Sequence, residues 1–164
     1  MKILTLLILV VTLSACASMH SSDPDSLAFS IPPGSVLALN QPVSYASNMT
    51  HAVIQFGKEI TDNERQFYDI NCRLDFKKFG PRTIEPEDFI VTRTEDGQNW
   101  VSQPSILRFY TEVYLASNKH TDIIKMVCQI YGDNIDRNFT VAEMQAALGD
   151  MITFKYKQQR PDKN

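Results

Sequence analysis

The sequence predicts a mainly β protein: a single small antiparallel sandwich or barrel of about eight strands with one short C-terminal helix. Short segments rich in β-branched and aromatic residues recur along the chain, with apolar and polar positions alternating as they do on a half-buried strand. Turn-forming clusters such as Asn40-Gln41-Pro42, Gly80-Pro81, Asp96-Gly97 and Gly132-Asp133-Asn134 separate them. One segment near the C-terminus instead carries a complete local helix signature. An α+β arrangement is the alternative.

Taken in order, the expected strands are Ser35–Leu39, Val43–Ser47, Ala52–Gly57, Phe67–Phe76, Phe89–Arg93, Ile106–Ala116, Ile123–Tyr131 and Met151–Lys157. Ile106–Ser117 is the ambiguous one. Leu107, Tyr110, Thr111 and Tyr114 also fit a helical face, but the density of β-formers from Phe109 to Tyr114 favours a strand. In Phe139–Gly149, Thr140 and Glu143 have the spacing of a capping box, Phe139 and Met144 that of a hydrophobic staple, and Gly149 supplies a left-handed stop. Val141, Met144 and Leu148 then face the core. Thr61 and Glu64 repeat the capping letters, but strand alternation follows, so a turn is expected there.

The N-terminus follows a different logic. Lys2 precedes an apolar run from Ile3 to Val11 that is too short for a bilayer span, which needs about 20 residues. The run ends in Leu13-Ser14-Ala15-Cys16, which resembles the signal of bacterial lipoproteins, notably the small uncharacterised outer-membrane lipoproteins of Gram-negative bacteria. The resemblance covers residues 1–16 only. It implies removal of residues 1–15, acylation of Cys16 and, with Ala17 rather than aspartate after the cysteine, an anchor in the outer membrane with the domain facing the periplasm. Ala15-Cys16-Ala17 also fits an ordinary cleavage site, which would release a soluble periplasmic protein beginning at Ser18. The division expected is thus a signal peptide at 1–15, a lipidated tether at 16–34, and one globular domain at 35–164 with a frayed end. Within that tether Leu27, Phe29 and Ile31 alternate, so an edge strand packed on the domain is equally consistent there.

Without residues 1–15, which carry Lys2 and no acid, 15 basic side chains face 19 acidic ones, a net charge of −4. No Lys/Arg cluster accompanies it, which argues against nucleic acid as a partner. Once Cys16 is assigned to lipid, Cys72 and Cys128 remain as a pair in an exported chain, each on the apolar phase of an alternating segment, and a structural disulfide is expected.

Motifs for chemistry are sparse. The chain has no Gly-x-Ser-x-Gly elbow, no phosphate-binding glycine loop and no metal-ligand spacing around either cysteine; His20, His51 and His120 are far apart, and Glu85–Asp88 reads as a solvated turn. No cofactor, metal or catalytic residue is expected. Aromatic residues exceed what one small core needs, and alternation sets Tyr110 and Tyr114 opposite Phe109 and Val113. These two tyrosines are the candidate binding residues. The expected function is a non-catalytic binding or assembly-accessory module for another envelope protein, with a carrier of a small apolar or lipidic ligand as the alternative.

Overall fold

In a computed structural model that describes residues 21–157, the chain forms β1 (Val36–Leu39), β2 (Val43–Tyr45), β3 (His51–Gln55), β4 (Lys58–Ile60), β5 (Asn71–Phe76), β6 (Arg82–Ile84), β7 (Glu87–Ser102), β8 (Ile106–Ala116), β9 (Ile123–Asp133), the helix α1 (Val141–Leu148) and β10 (Ile152–Lys155). Cys16, the signal segment and residues 158–164 lie outside the described residues. Eight strands make one antiparallel sheet in the order β10-β1-β7-β8-β9-β5-β3-β4, curled into a half-barrel, while β2 and β6 pair as a separate ribbon. Among the described residues no helix is long and apolar enough to cross a membrane.

Alternation decides which side chains fill the sheet's inner side. β8 alternates buried and half-buried residues along its length, sending Leu107, Phe109, Thr111, Val113 and Leu115 inward, so this segment is a strand. Leu37, Leu74, Phe89, Met126, Met144, Leu148 and Ile152 have essentially no exposure and make one core between sheet and helix. Each such side chain contributes roughly 1.5–3 kcal/mol of burial. α1 contacts β10 near one end of the sheet and β3 and β5 near the other, and so bridges the sheet's open side.

The helix terminates where the sequence says it should. The Glu143 amide donates to Thr140 Oγ1 at 3.2 Å, and the Thr140 amide donates to Glu143 Oε2 at 2.7 Å. A cap of this kind is worth about 1 kcal/mol. Gly149 ends the helix at φ 56° and ψ −140°, a region open essentially to glycine alone, rather than in the expected left-handed helical conformation. The Gly57 backbone lies against it.

The two cysteines sit directly opposite each other on β5 and β9 and are bonded, with Cα atoms 4.0 Å apart. A bulge in the same ladder, between Asp75 and Phe76, makes Ile123 rather than Ile124 the partner of Phe76; Ile123 is buried and Ile124 only half-buried. Closing a loop of 56 residues stabilises the fold by about 4 kcal/mol on the chain-entropy account.

Of the two readings of the segment before Ser35 the packed one holds, without a strand: Phe29 and Ile31 are buried, and the Pro24 carbonyl accepts the Ala142 amide at the start of α1. Other expectations are corrected. Asp96-Gly97 is not a turn. β7 runs through it to Ser102, and Gly97 is needed because the ring of Tyr110, its cross-strand partner, would lie 2.5 Å from any Cβ. Residues 67–70 precede β5 as a loop, and β4 and β6, of three residues each, were not expected. Glu87 is no solvated turn residue: it opens β7 with its carboxylate buried under His120 and Ser117.

Gly149→Ala is expected to destabilise the protein by more than about 1 kcal/mol, because φ is positive and a Cβ would stand 2.8 Å from Gly57 Cα. Chemical denaturation measures this; an unchanged midpoint would mean that the two glycines do not meet.

Candidate binding surfaces

Because strand partners point to the same side, the register places the outer face in rows. His51, Asp75, Lys125, Tyr114 and Arg93 form one row across β3, β5, β9, β8 and β7, followed by Val53, Arg73, Val127, Glu112 and Glu95. Asn71, Gln129, Tyr110 and Gly97 come next, and then Tyr131, Arg108 and Asn99. Tyr110 and Tyr114, the two residues singled out by alternation, therefore share this face. The Arg93 guanidinium lies 3.7 Å from the Tyr114 ring centroid, Lys125 Nζ lies 5.3 Å from it, and the Tyr114 hydroxyl donates to Glu112 Oε2 at 2.7 Å. That bond to the Glu112 carboxylate is the main reason the Tyr114 hydroxyl titrates above its ordinary range. Tyr110 stacks under Arg108, 4.6 Å from guanidinium to ring, and covers Gly97.

The loop between β4 and β5 folds over the other end of this face. Gln55, fully buried, donates to the carbonyls of Gln66, Asp69 and Ile70 and accepts the Gln66 amide at 3.0 Å. Asn71 donates to the Gln66 and Asp69 carbonyls from the next strand. The Tyr131 amide donates to the Phe67 carbonyl at 2.7 Å, and the two rings stack with centroids 4.8 Å apart. The loop thus brings Arg65 down beside the outer face, bonded to Asp62, which His51 Nε2 also approaches at 2.8 Å.

A second surface lies on the inner side, at the far end of the long strands. An open cleft of about 460 Å³ runs between Tyr68, Ile70, Ile130 and the Asp136–Phe139 segment, with Phe109 in its floor. A neighbouring hollow of about 350 Å³ shares Phe109, Asp136 and Asn138 and reaches Asp96, Gly97 and Gln98 of β7. There the sheet has an open edge. β1 pairs with β7 from Glu87 to Ile90 and Gly34 and Ser35 with Val91; among the described residues the backbone of Glu95–Ser102 pairs only with β8. Trp100 and Val101 near its end are 46% and 45% exposed, and Ile135 and Tyr68 nearby are 88% and 64% exposed.

The remaining polar clusters read as structure. Ser117 donates to Glu87, and His120 Nδ1 lies 2.6 Å from the same carboxylate, but Ser117 Oγ accepts the backbone amides of Lys119 and His120. Its proton goes to the Glu87 carboxylate while its oxygen accepts two backbone amides, so the group ties the turn Ser117–His120 to the start of β7. Arg82 forks onto Asp122 and donates to the Tyr45 hydroxyl at 3.2 Å, tying the β2–β6 ribbon to the loop before β9. Among the described residues no group of three or more His, Cys, Asp or Glu side chains is arranged to hold a metal ion.

No sequence signal joins the arginines of the outer face, because Arg108 is distant in the chain from Arg65 and Arg73. Their only signal is that Arg73 and Arg108 fall on the polar phase of alternating strands. Comparison with protein-family models, with curated proteins and with solved structures found no match for this chain.

At the cleft, hydrogen bonds from Arg137, and then from the Thr140 amide, hold the Glu143 carboxyl down at about 2, well below its ordinary 4.5. The folded value lies below the unfolded one, so the stabilisation is complete above pH 4.5 and is lost as pH falls toward about 2. Arg137→Ala should raise the Glu143 pKa and flatten the loss of stability over that range, as read by carboxyl NMR titration. An unmoved titration would show that Arg137 does not hold Glu143 in solution.

Proposed function

We propose that this chain is a lipoprotein anchored through Cys16 to the outer membrane, whose periplasmic domain is a non-catalytic binding module for another envelope protein. The observation that carries the reading is the half of β7 that, among the described residues, pairs with β8 alone. Edge strands with unsatisfied amides and carbonyls are templates for another chain, and proteins that do not use them keep them short, charged or covered. β4 is such a protected edge, three residues long with Lys58 and Glu59. The β7 edge from Glu95 to Ser102 is longer and ends in Trp100 and Val101. An extended segment added there would lie over the cleft floored by Phe109, with Asp133 and Asp136 at its rim, and this favours a partner segment that combines apolar and basic residues.

The alternative, a carrier of a small apolar ligand, has less support. The inner side of the sheet is filled by Met144, Leu148 and Ile152, and the cleft beside it is open and rimmed by charge. Anchoring complements docking, because acyl chains on Cys16 would hold the domain beside other envelope proteins at high effective concentration.

A photo-crosslinking residue at Gln98 is expected to trap a single envelope protein in intact cells, whereas the same probe at Lys58 on β4 should not. Cys16→Ala should release the protein to the soluble fraction and reduce the adduct. Equal adducts from both positions, or an adduct of two copies of this chain, would count against the reading, and retention of Cys16→Ala in the membrane would count against the anchor.

A further inference from the structure

Three arginines of the outer face surround β9, with Arg73 opposite Val127 on one side and Arg108 opposite Tyr131 on the other. Arg73 projects from β5 and Arg108 from β8, on either side of Val127 and Gln129 of β9, and Arg65 comes from the loop above. Their donors are incompletely used. The Arg65 side chain is only 6% exposed and bonds Asp62, yet its Nε has no partner among the described residues. Arg73 Nε lies 2.9 Å from Asp75 Oδ1 but out of line for a hydrogen bond. Arg108 donates its Nε to Gln129 Oε1 at 2.5 Å. Among the described residues neither Arg73 nor Arg108 donates a terminal N–H to a protein acceptor.

Two of the nearby carboxylates are already engaged, and the third, Asp75, is the one beside Arg73 Nε. Asp62 serves Arg65 and His51, and Glu112 serves Lys125 and the Tyr114 hydroxyl. Counting Arg65, Arg73, Arg108 and Lys125 against Asp62, Asp75 and Glu112 leaves one positive charge in excess. We propose that Arg73 and Arg108, with Arg65 behind them, form a binding site for one oxyanion, a carboxylate or phosphate group. The planar fork of a guanidinium donates two parallel bonds to such a group, and an oxyanion between Arg73 and Arg108 would use donors now idle and separate like charges. Burial first, and the Arg73 charge next, hold Arg108 below its ordinary value; at Arg65 burial acts first, Asp62 opposes it, and Arg73 again lowers it. This site is independent of the β7 edge. It would bind its anion whether or not a partner docks there.

The test uses the full-length protein in detergent at fixed ionic strength, with chloride replaced stepwise by inorganic phosphate or by acetate. Arginine Nε–H resonances report directly. Those of Arg73 and Arg108 are expected to shift saturably, while that of Arg137, already paired with Glu143, stays in place. Arg73→Gln and Arg108→Lys should each weaken the response by about tenfold or more, the second because it keeps the charge but loses the fork. A response to phosphate alone assigns a phosphate group, and one to acetate alone a carboxylate; a response to both also supports the site. No saturable shift of the wild-type resonances with either anion, or unchanged affinity in both variants, would overturn it.

Discussion

The pairing of β5 with β9 is the constraint on which the rest of the sheet depends. β10, β1, β7, β8 and β9 form one contiguous block, β5, β3 and β4 form another, and the β5–β9 ladder is the seam between them. Contacts across this seam link residues separated by 47 to 58 positions, so their closure entropy is large and must be offset by what they bury. The Cys72–Cys128 bond sits within that ladder, flanked by the fully buried pair Leu74 and Met126. It removes part of the entropy from the unfolded chain and fixes the register at the point where a slip would turn Leu74 and Met126 outward and their polar neighbours inward.

The same register assembles the outer face. Arg73 belongs to one block, Arg108 to the other, and Gln129 and Val127 of β9 lie between them. The loop carrying Arg65 is tied to both sides, through Gln55 and Asn71 on one and the Tyr131 amide on the other. The cationic cluster is therefore a product of the seam rather than of any single element. The open half of β7 has a different origin. β1 is only four residues long, so with Gly34 and Ser35 it covers the beginning of β7, and among the described residues the backbone of Glu95–Ser102 pairs only with β8. The two surfaces can accordingly serve different ligands, a small oxyanion on the outer face and an extended chain at the edge.

What was legible in the sequence was what is determined locally or by alternation. The α1 cap needs only Thr140 and Glu143, and the inward cysteines and outward tyrosines follow from counting by two along their strands. β7 was truncated because its distal half is exposed on both sides and shows no apolar period, and because Asp96-Gly97 has the letters of a turn; the need for glycine there comes from Tyr110 on another strand. β4 and β6 are too short to carry a pattern. The packing of Phe29 and Ile31 was half-visible in their alternation, but the carbonyl of Pro24 that meets α1 depends on a contact no local rule reveals. Arg65, Arg73 and Arg108 converge only after the seam has formed, and nothing in their spacing anticipates it.

If the seam organises the protein, loosening it should act locally. Amide hydrogen exchange of a Cys72→Ala/Cys128→Ala variant, compared with the oxidised wild type, measures this residue by residue. Protection should fall along the β5–β9 ladder and at the Gln66 and Tyr131 amides that hold the loop, while the β7–β8 ladder keeps its wild-type protection. A uniform loss across the sheet, or unchanged protection at the seam, would contradict the account.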